Sequence, residues 1–145
     1  MNLEKYDLLS NESRRSYEFF SEGPKGPIKK VVMFQEISGY LYNLAFGDWD
    51  DENECINDSV RTNNLDRDKV LASVASAVLD FISFHKDALI FAKGSTPEKN
   101  RLYQMSIRRH WPEISRLFDI VGFCRNRWED FQSGRNYEAF LIKLK

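Results

Sequence analysis

The residue types best suited to chemistry fall between Leu89 and Trp111, where the chain reads LIFAKGSTPEKNRLYQMSIRRHW. A short apolar run stops at Gly94, two hydroxyl residues and a proline follow, and a helix-like segment carrying arginines comes next. Backbone N–H groups left open at a helix start, together with the positive end of its dipole, hold anions. Gly94 lets a ligand approach the backbone closely, Ser95 and Thr96 offer hydroxyls, and Arg101, Arg108 and Arg109 offer charge. These residues point to a phosphate-bearing ligand. Against this, the patterns GxxxxGK[ST] and GxGxxG are both absent. Ser95-x-x-Glu98 also makes a capping box, and Thr96-Pro97 a cap with a first-turn proline, without any ligand. A glutamate in that first turn repels an anion.

The arginines extend the idea. Lys99 and Arg116 add to the middle segment, and Arg125, Arg127 and Arg135 sit in C-terminal turns. Interleaved with Tyr103, Trp111 and Trp128, they suit phosphate contact with base stacking, as single-stranded nucleic acid requires. The plainer alternative pairs these arginines with Glu98, Glu113, Asp119 and Glu129 and puts the aromatics in the core. The formal net charge of -1 gives no global field favouring nucleic acid or an acidic partner, so any preference is local.

Other chemistry is thinly supplied. GDWDDENE, residues 47–54, offers carboxylates, but the calcium-loop register fails: Asn53 stands where glycine is required and Ser59 where the bidentate glutamate belongs. A solvated acidic hairpin turn is the better reading, and no metal site is expected. His85 and His110 each end an expected helix, where an imidazole suits the dipole and caps carbonyls. No triad or metal spacing surrounds them, and no cofactor motif is present. Cys55 and Cys124 lack metal spacing and read as two reduced thiols.

The elements that position these residues follow from periodicity. Residues 1–15 show little pattern and are expected to be loosely held or to add one edge element. SYEFFSEG, IKKVVMFQEI, YLYNLAFGD and CINDSVRT read as four strands with short connections, an antiparallel meander; Ile56, Val60 and Thr62 share one side of the last. The period then changes: Val70, Val74, Ala77, Val78, Phe81 and Ile82 recur at helical spacing, with Asn63, Asn64 and Asp66 as candidate N-caps. ALIFA is a short buried strand. A second helix is expected from about Thr96 to Arg109, and a short third from Pro112 to about Phe118. IVGFC, WEDF and YEAFLIKL close the chain as strands. The expected fold is therefore one α+β domain over residues 1–145, an antiparallel sheet packed on one side by two longer helices and one short helix. A hydrophobic share of 42% and an aromatic share of 14% suffice for a core. The polar N-terminus and the lack of a membrane-length apolar run predict a cytoplasmic protein with no membrane partner.

SEGPKGPIKKVV, YNLAFGDWD, NNLDRDKVLASVA, FAKGSTPEKNRLYQM and NYEAFLIK together resemble an uncharacterised family of short, single-domain bacterial proteins, mostly from Bacteroidetes and their relatives. The resemblance runs from about Tyr17 to the C-terminus. It implies a compact bacterial cytosolic domain and no particular chemistry.

Function is thus expected to be non-enzymatic: a binding or regulatory module for a nucleic acid or nucleotide, contacted by Gly94, Ser95, Thr96, Arg101, Arg108 and Arg109. The alternative is a protein-interaction module, a homodimer or half of a bacterial two-protein system such as a toxin–antitoxin pair, docking through an open edge or an aromatic sheet face bearing Tyr40, Tyr42 or Trp49. A small hydrolase or nuclease using His110 or His85 is the third class.

Overall fold

The computed structural model describes residues 4–57 and 64–145. Nine strands and three helices follow in the order β1 (Leu9–Ser10), β2 (Ser16–Ser21), β3 (Ile28–Ser38), β4 (Leu41–Asp50), β5 (Cys55–Asn57), α1 (Arg67–Phe84), β6 (Leu89–Ala92), α2 (Pro97–Arg109), α3 (Trp111–Leu117), β7 (Phe118–Cys124), β8 (Arg127–Asp130) and β9 (Ala139–Leu144). The strand order is β1-β2-β3-β4-β6-β9-β7-β8, with β5 also on β4. The meander is present, and β1 is an edge element within the N-terminal stretch. Val60, Thr62 and the candidate cap Asn63 lie outside the described residues.

One pairing departs from the antiparallel expectation. β4 and β6 run parallel, Leu41–Leu44 opposite Leu89–Ala92. Parallel neighbours need a long crossover, and α1 supplies it within the connection from β4 to β6. The sheet is otherwise mostly antiparallel, and the fold is α+β as the grouping of strands and helices implied.

The chain divides into two compact units. One takes the described residues within Met1–Gln35 and Ala45–His85; the other takes Glu36–Leu44 and Lys86–Lys145. In the first, α1 buries Val70, Val74, Ala77, Val78, Phe81 and Ile82, the stripe its sequence sets out. Opposite lie the inward residues of β2 and β3: Tyr17 pairs with Val32, and Phe34 stacks on Phe81 with ring centroids 4.0 Å apart. Lys30 is inward as well, at 7% exposure, and forms an ion pair with Asp48. The Tyr17 hydroxyl donates to Asp80 on α1 at 2.6 Å, and Arg14 reaches the same carboxylate at 3.2 Å. Burial first, then the hydrogen bond to Asp80, push the Tyr17 phenol well above its ordinary value.

In the second unit, β6, β9 and β7 form the centre. Ile90, Ala92, Ile120, Phe140 and Ile142 are buried on one face. Gly122 lies on that face too; a Cβ there would sit 2.4 Å from the Tyr137 ring, so glycine is what lets Tyr137 lie flat on the strand. Arg125 and Asn126 both have positive φ (52° and 62°) and close the β7–β8 hairpin as a two-residue turn whose twist matches the strands.

Candidate functional site

β6 ends at Ala92, and two residues later Gly94 opens the approach to α2. Thr96, not Ser95, is the N-cap: its hydroxyl accepts from the Lys99 backbone N–H at 3.2 Å, and Pro97 takes the first helical position. The capping box Ser95-x-x-Glu98 is therefore one residue out of register with the helix that forms. Thr96 has the extended backbone a cap requires (φ −135°, ψ 159°), and that sets the start.

Gly94 has a reason of its own. Its N–H donates to the Asn100 side-chain oxygen at 2.6 Å, and Asn100 in turn donates to the Glu138 carbonyl at 2.8 Å. A Cβ on Gly94 would sit 2.5 Å from the Asn100 backbone nitrogen and 2.7 Å from the Lys99 Cβ. Close packing of the strand end on the first turn of α2 thus fixes glycine here, and the N–H that an anion would use is already donated to Asn100. Replacing Gly94 with Ala is expected to cost about 2 kcal/mol, because backbone must move to admit the methyl. A denaturant-midpoint comparison with wild type measures it. An unchanged midpoint would mean that the Gly94–Asn100 contact is looser than described.

α2 is docked by amides rather than by apolar side chains. Ile107 is its one buried residue. Gln104 donates to the Arg135 carbonyl and accepts from the Tyr137 N–H at 3.0 Å, one turn along from Asn100. Asn100 and Gln104 are the positioning residues that the sequence reading passed over; their signal was two amides at i and i+4 on one side of a helix whose other side is charged. Arg101, Arg108 and Arg109 lie on that other side. All three are exposed, with the half-exposed Met105 between them. At the helix end His110 caps α2 through its N–H to the Ser106 carbonyl, and its own carbonyl accepts from Glu113 and Ile114 to start α3. His85 closes α1 in the capping role, Nδ1 3.0 Å from the Phe81 carbonyl, its ring stacked on Phe81.

The structure brings Gly94, Ser95 and Thr96 to one end of α2 and aligns the three arginines along its outward face. Arg135 lies against α2 through its carbonyl, but its guanidinium pairs with Glu129 at 3.3 Å. Arg125, Arg127 and Trp128 are exposed around the β7–β8 turn. Of the other aromatics named, Tyr42 is buried, Tyr40 is exposed in the β3–β4 turn, and Lys29 lies over the Trp49 ring at 5.4 Å. The acidic stretch makes the β4–β5 turn: Asp50 accepts from Glu52 and Asn53, and those bonds, Asn53's first, hold its carboxyl below the usual range. Among the described residues no His, Cys, Asp and Glu cluster could hold a metal ion. In the first unit a cleft of about 260 Å³ lies beside Lys5, Ser10, Arg14, Ser76 and Asp80. Its cations are engaged already, Lys5 with Ser76 and Arg14 with Asp80.

The fold and site define a mixed α+β protein with, among its described residues, a nine-stranded, mostly antiparallel sheet and an arginine-bearing surface helix. Its sequence belongs to the family of unknown function DUF6934, whose model matches residues 2–145, nearly the whole chain. No curated protein and no solved structure matches it. No helix among the described residues is long and apolar enough to cross a membrane.

Proposed function

We propose that the protein is a non-enzymatic module that binds nucleic acid through the outward face of α2. The observation that carries this reading is the exposure of Arg101, Arg108 and Arg109 on one side of the helix whose other side is held by Asn100 and Gln104. Seven residues separate Arg101 from Arg108, about 10 Å along the axis, so the two guanidinium groups reach separate phosphates. Guanidinium suits phosphate because its planar fork donates two parallel hydrogen bonds. The Gly94 N–H is donated to Asn100 and the Thr96 hydroxyl accepts from the Lys99 N–H, so this reading rests on the arginines rather than on the helix start. A bacterial, cytoplasmic setting accords with this reading and with two free cysteines.

Retention on heparin and on labelled RNA at low salt tests the proposal. Wild type is expected to bind with a strong salt dependence. The Arg101→Ala/Arg108→Ala double variant is expected to lose about tenfold in affinity, with the salt slope reduced by about two. Absence of wild-type retention at low salt, where phosphate contacts are strongest, would remove the reading.

A further inference from the structure

We infer that the uncovered sheet face beside the β7–β8 turn is a stacking surface for unpaired nucleobases. The inference rests on the reading of the protein as a nucleic-acid binder and specifies the kind of strand. Registers place Asn43, Phe91, Leu141, Val121 and Asp130 in one row across β4, β6, β9, β7 and β8. Phe123 opposes Trp128 in the next row. Phe91, Phe123 and Trp128 therefore share a face, and they touch: Trp128 meets Phe123 at 5.1 Å and Phe91 edge-on at 6.4 Å. The opposite face of the same strands is buried, through Ile90, Phe140, Ile142 and Ile120. This one leaves Phe91, Phe123, Val121 and Leu141 partly open and Trp128 41% exposed.

The charges around the aromatic trio favour a polyanion. β9 runs antiparallel to both β6 and β7, so the C-terminal ends of β6 and β7 lie at one end of the sheet. That end holds Phe123 and Trp128. It also holds Lys93, the residue after β6, and Arg125 and Arg127 at the turn, all exposed. Exposed Glu138 is at the same end, exposed Glu98 follows Lys93 by five residues in the first turn of α2, and Glu129 is paired with Arg135. Asp119, opposite Lys143, lies at the far end, and exposed Asp130 lies in the Phe91 row, one row from Trp128.

Size selects the occupant. Five strands at about 4.8 Å spacing and four residues at about 3.3 Å rise give a face of about 24 by 13 Å. That is well under the roughly 800 Å² per partner of a stable protein interface, so a second copy is a poor fit. Two or three bases match it, laid on aromatic rings with their phosphates at the basic rim.

Titration with a short oligothymidylate and with an abasic oligonucleotide of the same length tests this, read by tryptophan fluorescence and by anisotropy of the labelled strand. The thymidylate strand is expected to bind at least about tenfold more tightly than the abasic one and to quench the emission. Trp128→Leu should abolish both effects, with Phe91→Leu weakening them in parallel and Trp128→Phe retaining the affinity difference. Arg101→Ala/Arg108→Ala should weaken both strands alike and leave their ratio intact. Equal binding of the two strands by wild type would overturn the inference while leaving the α2 proposal standing; absence of both at low salt would remove both. A doubling of mass in solution that Trp128→Leu abolishes would assign the face to a second copy and overturn it too.

Discussion

Phe81→Ala is expected to cost about 4 kcal/mol, the largest loss from any single side chain in the first unit. Phe81 is fully buried, sandwiched between the Phe34 ring (4.0 Å, 5° between planes) and the His85 ring (4.4 Å, 19°). Tyr17 packs edge-on against Phe34 at 6.0 Å, so a chain of rings joins β2 and β3 to the last turns of α1. Removing the middle ring leaves a cavity that Ala77 and Ile82, already buried on the same helix, fill poorly. The imidazole that closes α1 also loses the surface that holds it. For a chain of this size the loss corresponds to a melting point lower by about 10–15 °C, measurable by calorimetry. Phe81→Leu should recover about half. A loss below about 1 kcal/mol for the alanine variant would contradict the sandwich.

Phe81 was legible in the sequence because a helix repeats its buried face every three to four residues, and Val70, Val74, Ala77, Val78 and Phe81 keep that spacing. The arginine stripe was legible for the same reason. What escaped was non-local. The parallel pairing of β4 with β6 depends on where α1 returns the chain, and no residue of either strand encodes that. Asn100 and Gln104 escaped because their acceptors, Glu138 and Arg135, lie more than thirty positions away. Trp128 could be weighed as core or surface; only the place of β8 at the end of the strand order decides that its ring stays open. Gly94 misled in an instructive way. Ligand approach and close helix packing make the same demand of a residue, the absence of a Cβ, and only the Asn100 contact tells them apart.

Asp66→Ala is expected to cost about 3 kcal/mol, although an exposed helix N-cap is worth only about 1 kcal/mol. Asp66 occupies the N-cap position of α1, as its residue type suggests, but its side chain makes no capping bond. Instead its carboxylate accepts from the Tyr6 hydroxyl at 2.6 Å and from the Ser21 hydroxyl. Ser21 is fully buried and accepts from the Asn64 amide at 3.2 Å. Asn64, 2% exposed, also donates to the Gly26 carbonyl at 2.9 Å and accepts from the Lys25 N–H at 2.8 Å. One carboxylate therefore ties the N-terminal segment, the end of β2 and the β2–β3 turn to the start of α1. Alanine leaves the buried Ser21 hydroxyl without its acceptor and the Tyr6 hydroxyl with only the Glu22 carbonyl at 3.2 Å, and an unmet buried donor costs more than the hydrogen bond itself contributes. Burial first, then the bond to Asp66, raise the Tyr6 phenol above its usual value, so this tyrosine keeps its proton to higher pH folded than unfolded. Its stabilising contribution is complete below the ordinary tyrosine value and falls as pH rises beyond it. Asp66→Ala should flatten that alkaline fall, whereas loss of a cap alone would leave it unchanged. Chemical denaturation of wild type, Asp66→Ala and Asp66→Asn across neutral and alkaline pH separates the two. A uniform loss of about 1 kcal/mol in both variants would return Asp66 to the role of a simple cap.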